Sequence, residues 1–400
     1  MEIICLMTLG IGIFGSEFVK LPIFGVEMTY WCMLALVLCY GYKTLWKREV
    51  RVRQQDWLLF AFESYACVVV ALSFAGIWQK FSSEKLLTDV RDLPRQAYYL
   101  ALLPVAFFAA PAKGTDWMDS ILYKHGRKLL FAVFFLNVLI HKSIFLPITS
   151  VFVLCLLSLW DEERDKLDWL SFFLIMLPVC LGETQMTNLL IRFIYGVCFL
   201  FRKRSKLVIR GLAAGIWGCV GVCFLAPLFL EPLSRMISDP NTLWRAQFWT
   251  DELKLLSESH FLGAGYGTAY CSTDFIDPMT YQPWGDGDPF VATAQYSIYD
   301  KVFVTGAHNS LVTVAFRLGL VGILLLAGYL IWLQIRQLKH MDQVSMSSIY
   351  VMCAGIVVIA LNVRLESPYY AVLFVFAVCQ VVYQVKKATL PGGREESTIC

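Results

Sequence analysis

The chain has 400 residues and a net charge of +3; 58% of its residues are hydrophobic and only 16% are charged. Soluble domains carry about 25% charged residues, so this composition excludes a soluble globular protein and indicates an integral membrane protein. The mean hydropathy of +0.61 agrees with that assignment, and the small net charge gives no support for nucleic-acid binding.

Apolar runs long enough to cross a bilayer recur along the whole chain. A spanning helix needs about 20 mostly apolar residues, and this criterion predicts about twelve spans. They lie at residues 2–16, 27–46, 57–79, 94–111, 128–141, 143–160, 168–182, 185–202, 207–231, 308–335, 346–363 and 367–385. The sequence therefore predicts an all-α polytopic membrane protein.

The placement of Lys and Arg predicts which ends of the spans face the cytoplasm. With the N-terminus inside, the inner loops hold about twice as many of these residues as the outer side, which nonetheless has the longest loop. Both termini are therefore predicted to be cytoplasmic. The chain divides into helices 1–9 at residues 1–231, one large outer loop at 232–307, helices 10–12 at 308–387 and a tail at 388–400.

The large outer loop is the longest polar stretch and holds most candidate site residues. A Ser-Asp-Pro sequence at residues 238–240 has the order of a helix start, with a capping side chain before Pro. This start predicts a short amphipathic helix over residues 241–259. Arg245 and Trp249, four residues apart, share one face of that helix, which we expect to lie against the membrane surface.

A glycine-spaced run follows the predicted amphipathic helix, with Gly263, Gly265 and Gly267 in alternate positions. A dinucleotide-binding loop needs a strand before the glycines and a helix after them, and neither is predicted here. We interpret the run as a tight turn that returns the chain from the helix.

His308 and Asn309 stand at the predicted water–lipid boundary where the tenth span begins. A neutral His can take a proton from a hydroxyl near physiological pH, so His308 is a candidate base; a polar cap on the helix is the alternative. Arg245 carries a planar fork of donors that suits a phosphate, the alternative being an anchor for lipid headgroups.

Two further charged residues lie near the outer end of the eighth span. Arg192 is inside that span, and its long side chain can extend toward the outer mouth. Glu183, in the turn before it, offers a carboxylate to a substrate or is an exposed loop charge. Arg317, in the tenth span, is predicted to point away from His308 and to pair inside the bundle.

Metal binding has little support in the sequence. His260 and His308 are far apart, and the aspartates of the outer loop do not have the fixed alternating positions and closing Glu of a calcium loop. We therefore predict no metal site.

Several of these residues together resemble the O-antigen ligase/polymerase superfamily. The matching features are Arg245-x-x-x-Trp249, Phe261-Leu262-Gly263-x-Gly265-x-Gly267, His308-Asn309-Ser310-Leu311 and Gly319-Leu320-Val321-Gly322. They cover about the last 150 residues, and their order, spacing and side of the membrane agree with the family. The first part of the chain resembles it only in span number and in the single large outer loop.

The resemblance implies an integral-membrane glycosyltransferase of the bacterial inner membrane with its active site facing the periplasm. It implies an undecaprenyl-diphosphate-linked glycan as donor, lipid A-core or a growing glycan as acceptor, and no cofactor. His308 would be the base on the acceptor hydroxyl and Arg245 the cation on the leaving diphosphate, with Trp249, Asn309 and Glu183 as substrate contacts. Met186-Thr187-Asn188 stands where the family carries a Ser-Arg pair, so either Arg192 replaces that second phosphate clamp or the alignment with the family is shifted here.

Three functions follow as expectations. The chain has one large outer loop where polymerases of this type often have two, which favours an O-antigen ligase acting on lipid A-core. An O-antigen or exopolysaccharide polymerase is the alternative. A flippase or transporter for lipid-linked glycans is the third reading, although transporters bind near the midplane between paired repeats, and no matching halves are visible here.

Overall fold

The computed structural model describes residues 2–15, 21–23, 26–28, 31, 57–78, 116–160, 166–201, 205–225, 240–268, 308–361 and 368–389. Helices account for nearly all of them: α1 (Glu2–Phe14), α2 (Trp57–Phe74), α3 (Asp116–His141), α4 (Ile148–Ser158), α5 (Lys166–Cys180), α6 (Met186–Phe201), α7 (Lys206–Phe224), α8 (Pro240–Glu258), α9 (Ser310–Lys339), α10 (Met346–Leu361) and α11 (Pro368–Thr389). One antiparallel pair of two-residue strands, β1 (Pro22–Ile23) and β2 (Val26–Glu27), is the exception. The prediction of a helical protein is therefore confirmed in the part of the chain that the structure describes.

Four of these helices are long and apolar enough to cross a membrane: α2, α7, α9 and the segment Tyr370–Thr389 of α11. Three shorter helices, α4, α6 and α10, are also apolar. These features point to a multi-pass membrane protein. The predicted span at 94–111 and most of the one at 27–46 lie outside the described residues, so the total of twelve and the cytoplasmic termini stay predictions.

One helix differs clearly from the predicted boundaries. We predicted an inner loop at 112–128 and a span at 128–141, whereas α3 is continuous from Asp116 to His141. Trp117 and Ile121 lie four residues apart within the predicted loop, so helical apolar spacing begins before the continuous apolar run. A criterion based on continuous hydrophobicity misses this charged first part of the helix.

The centre of the bundle is formed by α4, α10 and α11. Every residue of α4 is buried, as is every residue of α10 except its last, and α11 packs against α10 and α1. By contrast, α7 buries only a stripe at Ile209, Ala213, Ile216 and Val220, a spacing of three and four residues. Helix α7 therefore lies at the edge of the bundle with an apolar face turned outward, as expected for a helix that contacts lipid.

Candidate functional site

Helix α8 follows the predicted boundaries closely and lies against α9. It begins at Pro240, the first-turn position that Pro prefers, and ends at Glu258. Its buried face carries Phe248, Glu252 and Leu256, while Arg245 and Trp249 are half-buried beside that face. The face that we expected to lie against the membrane surface thus packs largely on another helix.

A buried polar contact joins α8 to the first turns of α9. Glu252 and Thr313 are both shielded from solvent, with 0% and 2% of their surface exposed. The Thr313 hydroxyl lies 3.0 Å from one Glu252 carboxylate oxygen and 3.2 Å from the other. Because a hydroxyl has one proton, it donates to one of these oxygens at a time.

The glycine turn, residues 261–268, fits into a break in α9. The break is at Gly319, whose φ of 70° lies in the left-handed region, so the regular hydrogen bonds of the helix are interrupted there. The Ala264 N–H donates to the Phe316 carbonyl at 2.7 Å, and the Gly265 N–H donates to the Arg317 carbonyl at 3.0 Å. The turn therefore supplies donors to carbonyls that the broken helix leaves without regular partners.

Glycine is required on both sides of this contact because the two backbones approach closely. A Cβ on Gly319 would lie 2.3 Å from the Leu262 carbonyl oxygen, and one on Gly263 would lie 2.4 Å from the Gly319 nitrogen. Real Cβ atoms do not approach that closely. We predicted a tight turn in this run, and the structure shows that the turn is also a packing element.

Helix α2 and the residues after it hold the other side of the glycine turn. The Trp78 indole N–H donates to the Gly263 carbonyl at 2.9 Å, and the Ser73 hydroxyl accepts from the Tyr266 N–H at 3.0 Å. Tyr65 donates from its hydroxyl to the Leu318 carbonyl at 2.9 Å, beside the break in α9. The turn is thus held between two helices, which makes it part of the folded core.

Arg317 is buried and binds the end of the glycine turn. Its guanidinium donates to the Thr268 carbonyl at 2.9 Å and to the Gly265 carbonyl at 3.2 Å. We expected Arg317 to pair within the bundle, and these bonds run instead to the segment that precedes α9. Backbone carbonyls satisfy its charge in part, because they present their negative ends to the guanidinium.

His308 and Asn309 form the start of α9. The Asn309 side-chain oxygen accepts from the backbone N–H groups of Leu311 and Val312 at 3.1 and 3.2 Å, which makes Asn309 the N-cap. The Cys223 thiol at the end of α7 lies within hydrogen-bonding reach of the Asn309 side chain. In this structure the side chain that we predicted as a substrate contact caps the helix, next to a His308 whose φ is 53°.

Two anchor points show that α8 and α9 run side by side in the same direction. Glu252 contacts Thr313, and nine residues later, just past the end of α8, the Phe261 carbonyl accepts from the Leu320 N–H at 3.0 Å. Arg245 lies seven residues before Glu252, about 10 Å along the axis and on the same face. His308 lies five residues before Thr313 and directly precedes α9, which begins at Ser310. Arg245 is thus on the helix that packs against α9, and His308 is at the start of α9, with His308 Nδ1 and Arg245 Nε both shielded from solvent.

Arg192 and Glu183 form a buried ion pair. Their nitrogen and oxygen atoms are 2.9 Å apart, and Arg192 also donates from Nε to the Ile175 carbonyl at 2.9 Å. The Asn188 amide donates to Glu183 at 3.3 Å and to the Leu146 carbonyl at 3.0 Å. Arg192 thus extends toward the turn before α6, where its Nη1 is paired with a carboxylate of the same chain. Glu183 is 8% exposed, so it is not a solvated loop charge.

These groups lie at one end of the bundle, which we call the loop end. It is the end where α6 begins, α7 finishes and α9 begins, and the contact of Cys223 with Asn309 joins the last two. Helix α7 packs on α6, which carries Arg192, and also on α8 and α9. The six predicted site residues thus fall into two groups, Arg192 with Glu183 and the other four on α8 or at the start of α9.

An apolar cavity of about 450 Å³ reaches the loop end from within the bundle. Residues of α6, α7 and α10 line it, and on the α7 side these include Gly215, Cys219 and Cys223. A Cβ added to Gly215 would contact nothing within 4 Å, so the glycine leaves the cavity wide there. Cys223, which lines the cavity, lies next to Asn309 at the start of α9.

Glu252 is the residue near this site that the sequence analysis missed. A signal was present, since Glu252 is three residues after Trp249 and seven after Arg245, positions that share one helix face with the buried Phe248 and Leu256. A charged residue on the apolar face of a helix indicates a buried polar contact, and this signal could have identified Glu252. No three His, Cys, Asp or Glu side chains among the described residues are grouped so as to hold a metal ion.

Comparison with known protein families found a match over this part of the chain. A family model described as O-antigen ligase matches residues 169–327, which confirms the resemblance to the O-antigen ligase/polymerase superfamily. The match runs from α5 into the second half of α9 and includes every predicted site residue, the glycine turn, Glu252 and Thr313. No curated protein matched the chain in a search.

Proposed function

We propose that this chain, whose residues 169–327 match the O-antigen ligase family, is an integral-membrane glycosyltransferase. It moves a glycan from an undecaprenyl-diphosphate carrier to an acceptor sugar on the periplasmic face, as an O-antigen ligase acting on lipid A-core. The observation that supports the proposal is the packing of α8 on the first turns of α9, because Arg245 is on α8 and His308 directly precedes α9.

The proposed chemistry is one displacement at the anomeric carbon of the donor. The acceptor hydroxyl oxygen forms the new glycosidic bond, and its proton passes to His308. The bond from the anomeric carbon to the phosphate oxygen breaks, and the undecaprenyl diphosphate leaves with its bonding electron pair. Arg245 opposes the charge that develops on the leaving diphosphate, which lowers the barrier because the guanidinium is already in place.

The apolar cavity supports a lipid-linked donor. A polyprenyl chain in a bilayer is surrounded by hydrocarbon, and the walls of α6, α7 and α10 offer it a comparably apolar surface. Cys223 lines the cavity and lies next to Asn309, so a chain placed in it would present its diphosphate at the loop end, near the start of α9.

A flippase receives less support from the described residues. Such a protein needs a cationic path through the bundle for its charged head group, whereas the cavity here is lined by apolar side chains. The buried Arg192 is held by Glu183, and Arg317 is held by backbone carbonyls. These arginines consequently act in the packing of the fold in this structure.

The test uses purified full-length protein in liposomes with lipid-linked repeat units, in the presence and absence of lipid A-core. A ligase gives a single transfer that requires core. Ladders formed without core would instead establish a polymerase, and the absence of transfer in both reactions would overturn the proposal.

Two substitutions test the proposed roles of His308 and Arg245. His308→Asn should abolish transfer, and Asn tolerates the positive φ at this position, so loss of the imidazole is separated from backbone strain. Arg245→Lys should lower the rate by about a hundredfold, because a point charge does not reproduce the forked contact. Lys254→Ala is the matched control, since Lys254 is exposed on the same helix. Wild-type rates in either test variant would contradict the assigned role.

A further inference from the structure

Glu252 places a carboxylate on the buried face of α8, where an apolar side chain is the usual choice. Glu252 is fully buried on the same face of α8 as Phe248 and Leu256, and a charged group is costly to bury. A Leu at this position would pack α8 on α9 with no such cost. The residue is therefore poorly explained by the attachment of the helix alone.

Unlike Leu, a carboxylate forms a hydrogen bond that depends on distance and angle. Apolar contact between two helices depends on area and changes little when one helix slides along the other. The bond between Glu252 and Thr313 depends on distance and angle, with both oxygens within 3.2 Å of the hydroxyl. It therefore specifies the height of α8 on α9, and the polar atoms allow little sliding before the bond is lost.

That height determines where Arg245 stands. One residue of helix corresponds to about 1.5 Å, so a slip of α8 by a single residue moves Arg245 by that distance relative to His308. Catalytic groups need placement within about 0.5 Å, and a misplacement of about 1 Å costs about a hundredfold in rate. The glycine turn anchors the far end of α8, while Glu252 anchors the part nearer to Arg245.

We propose that Glu252 is a positioning residue for the transfer reaction, which sets the height of Arg245 against His308 through its bond to Thr313. The inference rests on the proposed function for its readout and on the contacts of α8 and α9 for its geometry. Glu252 does not touch the substrate in this scheme, and its effect on the rate passes through Arg245.

The first experiment removes the contact from either side in the full-length reconstituted protein. Glu252→Ala and Thr313→Val should each lower kcat by about ten- to a hundredfold and leave the KM for donor nearly unchanged, since the lost interaction is made in the transition state. The combined variant should be no worse than either single one, because both remove the same bond. Thr313→Ser keeps the hydroxyl and should retain near-wild-type kcat.

The second experiment distinguishes positioning from simple support of the fold. Arg245 and Glu252 are about 10 Å apart, a separation at which independent substitutions have additive effects. If Glu252 acts through Arg245, then Glu252→Ala should lower kcat far less in an Arg245→Lys background than in the wild type. Melting temperatures, measured in parallel, give the stability cost, and Lys254→Ala again controls for a surface change on α8.

The outcomes separate this proposal from the proposed function. Wild-type transfer together with an undiminished kcat for Glu252→Ala, or additive effects of the Glu252 and Arg245 substitutions, would overturn the positioning role alone. A wild-type protein that transfers no glycan in either reaction would overturn both. Loss of kcat in Glu252→Ala with non-additivity and rescue by Thr313→Ser supports the proposal.

Discussion

The contact between the glycine turn and the break in α9 leads to a quantitative prediction for Gly319→Ala. The φ of 70° costs a non-glycine residue about 1–2 kcal/mol. The new Cβ would also lie 2.3 Å from the Leu262 carbonyl oxygen and 2.5 Å from that of Phe261. The backbone shifts that relieve such overlaps cost a further amount of about 1–3 kcal/mol. We expect a total destabilisation of about 2–5 kcal/mol, which weakens the contact of the glycine turn with α9.

Gly328→Ala provides the matched control for that prediction. Gly328 is in the same helix, and a Cβ there would meet nothing within 4 Å, so Ala should be neutral or stabilise the helix by about 0.5–1 kcal/mol. Thermal unfolding of the purified proteins in detergent, together with transfer rates in liposomes, measures both effects. Gly319→Ala should melt several degrees lower and lose most transfer activity. Equal melting temperatures and equal rates for the two variants would refute the argument that the break in α9 requires glycine.

Two further predictions concern the ion pair and the cavity. Arg192→Met leaves Glu183 buried without its cation and should lower the free energy of unfolding by about 3–5 kcal/mol. The double variant Arg192→Met/Glu183→Leu should recover much of that loss. If Arg192→Met is as stable as the wild type, the pair does not support the fold. Gly215→Leu fills part of the apolar cavity and should raise the KM for a donor with a full-length polyprenyl chain without changing that for a short-chain donor. An equal effect on both donors would argue against a lipid chain in this cavity.

The positions of most helices were accessible from the sequence because long apolar runs leave few alternatives. The predicted spans at 57–79, 185–202 and 346–363 correspond to Trp57–Phe74, Met186–Phe201 and Met346–Leu361. The polar helix α8 was also predicted to within about a residue at each end, since a cap and a Pro marked its start. Apolar composition and local capping signals were sufficient to predict these elements.

The packing of the outer segment was not accessible in the same way. A straight tenth span was assumed, and the break at Gly319 depends on donors from the glycine turn, far away in sequence. Periodicity within one helix carries no information about such a partner. The same limit applies to Glu252, whose significance depends on Thr313, and to Arg192, whose ion pair with Glu183 crosses a turn. Which residues share a face can be read from spacing, but the surface that the face meets cannot.

The break in α9 also has a consequence for the way the protein assembles. In a bilayer, a helix with unsatisfied carbonyls is unfavourable, so α9 reaches a stable state only when the amides of Ala264 and Gly265 arrive. Those amides are synthesised first and must be brought back to a helix that emerges from the ribosome later. Insertion of α9 and docking of α8 should therefore proceed as one cooperative unit, and its assembly would depend on closing the loop between them. A cell that makes this protein would thus complete the proposed active site only at the step that completes the helix.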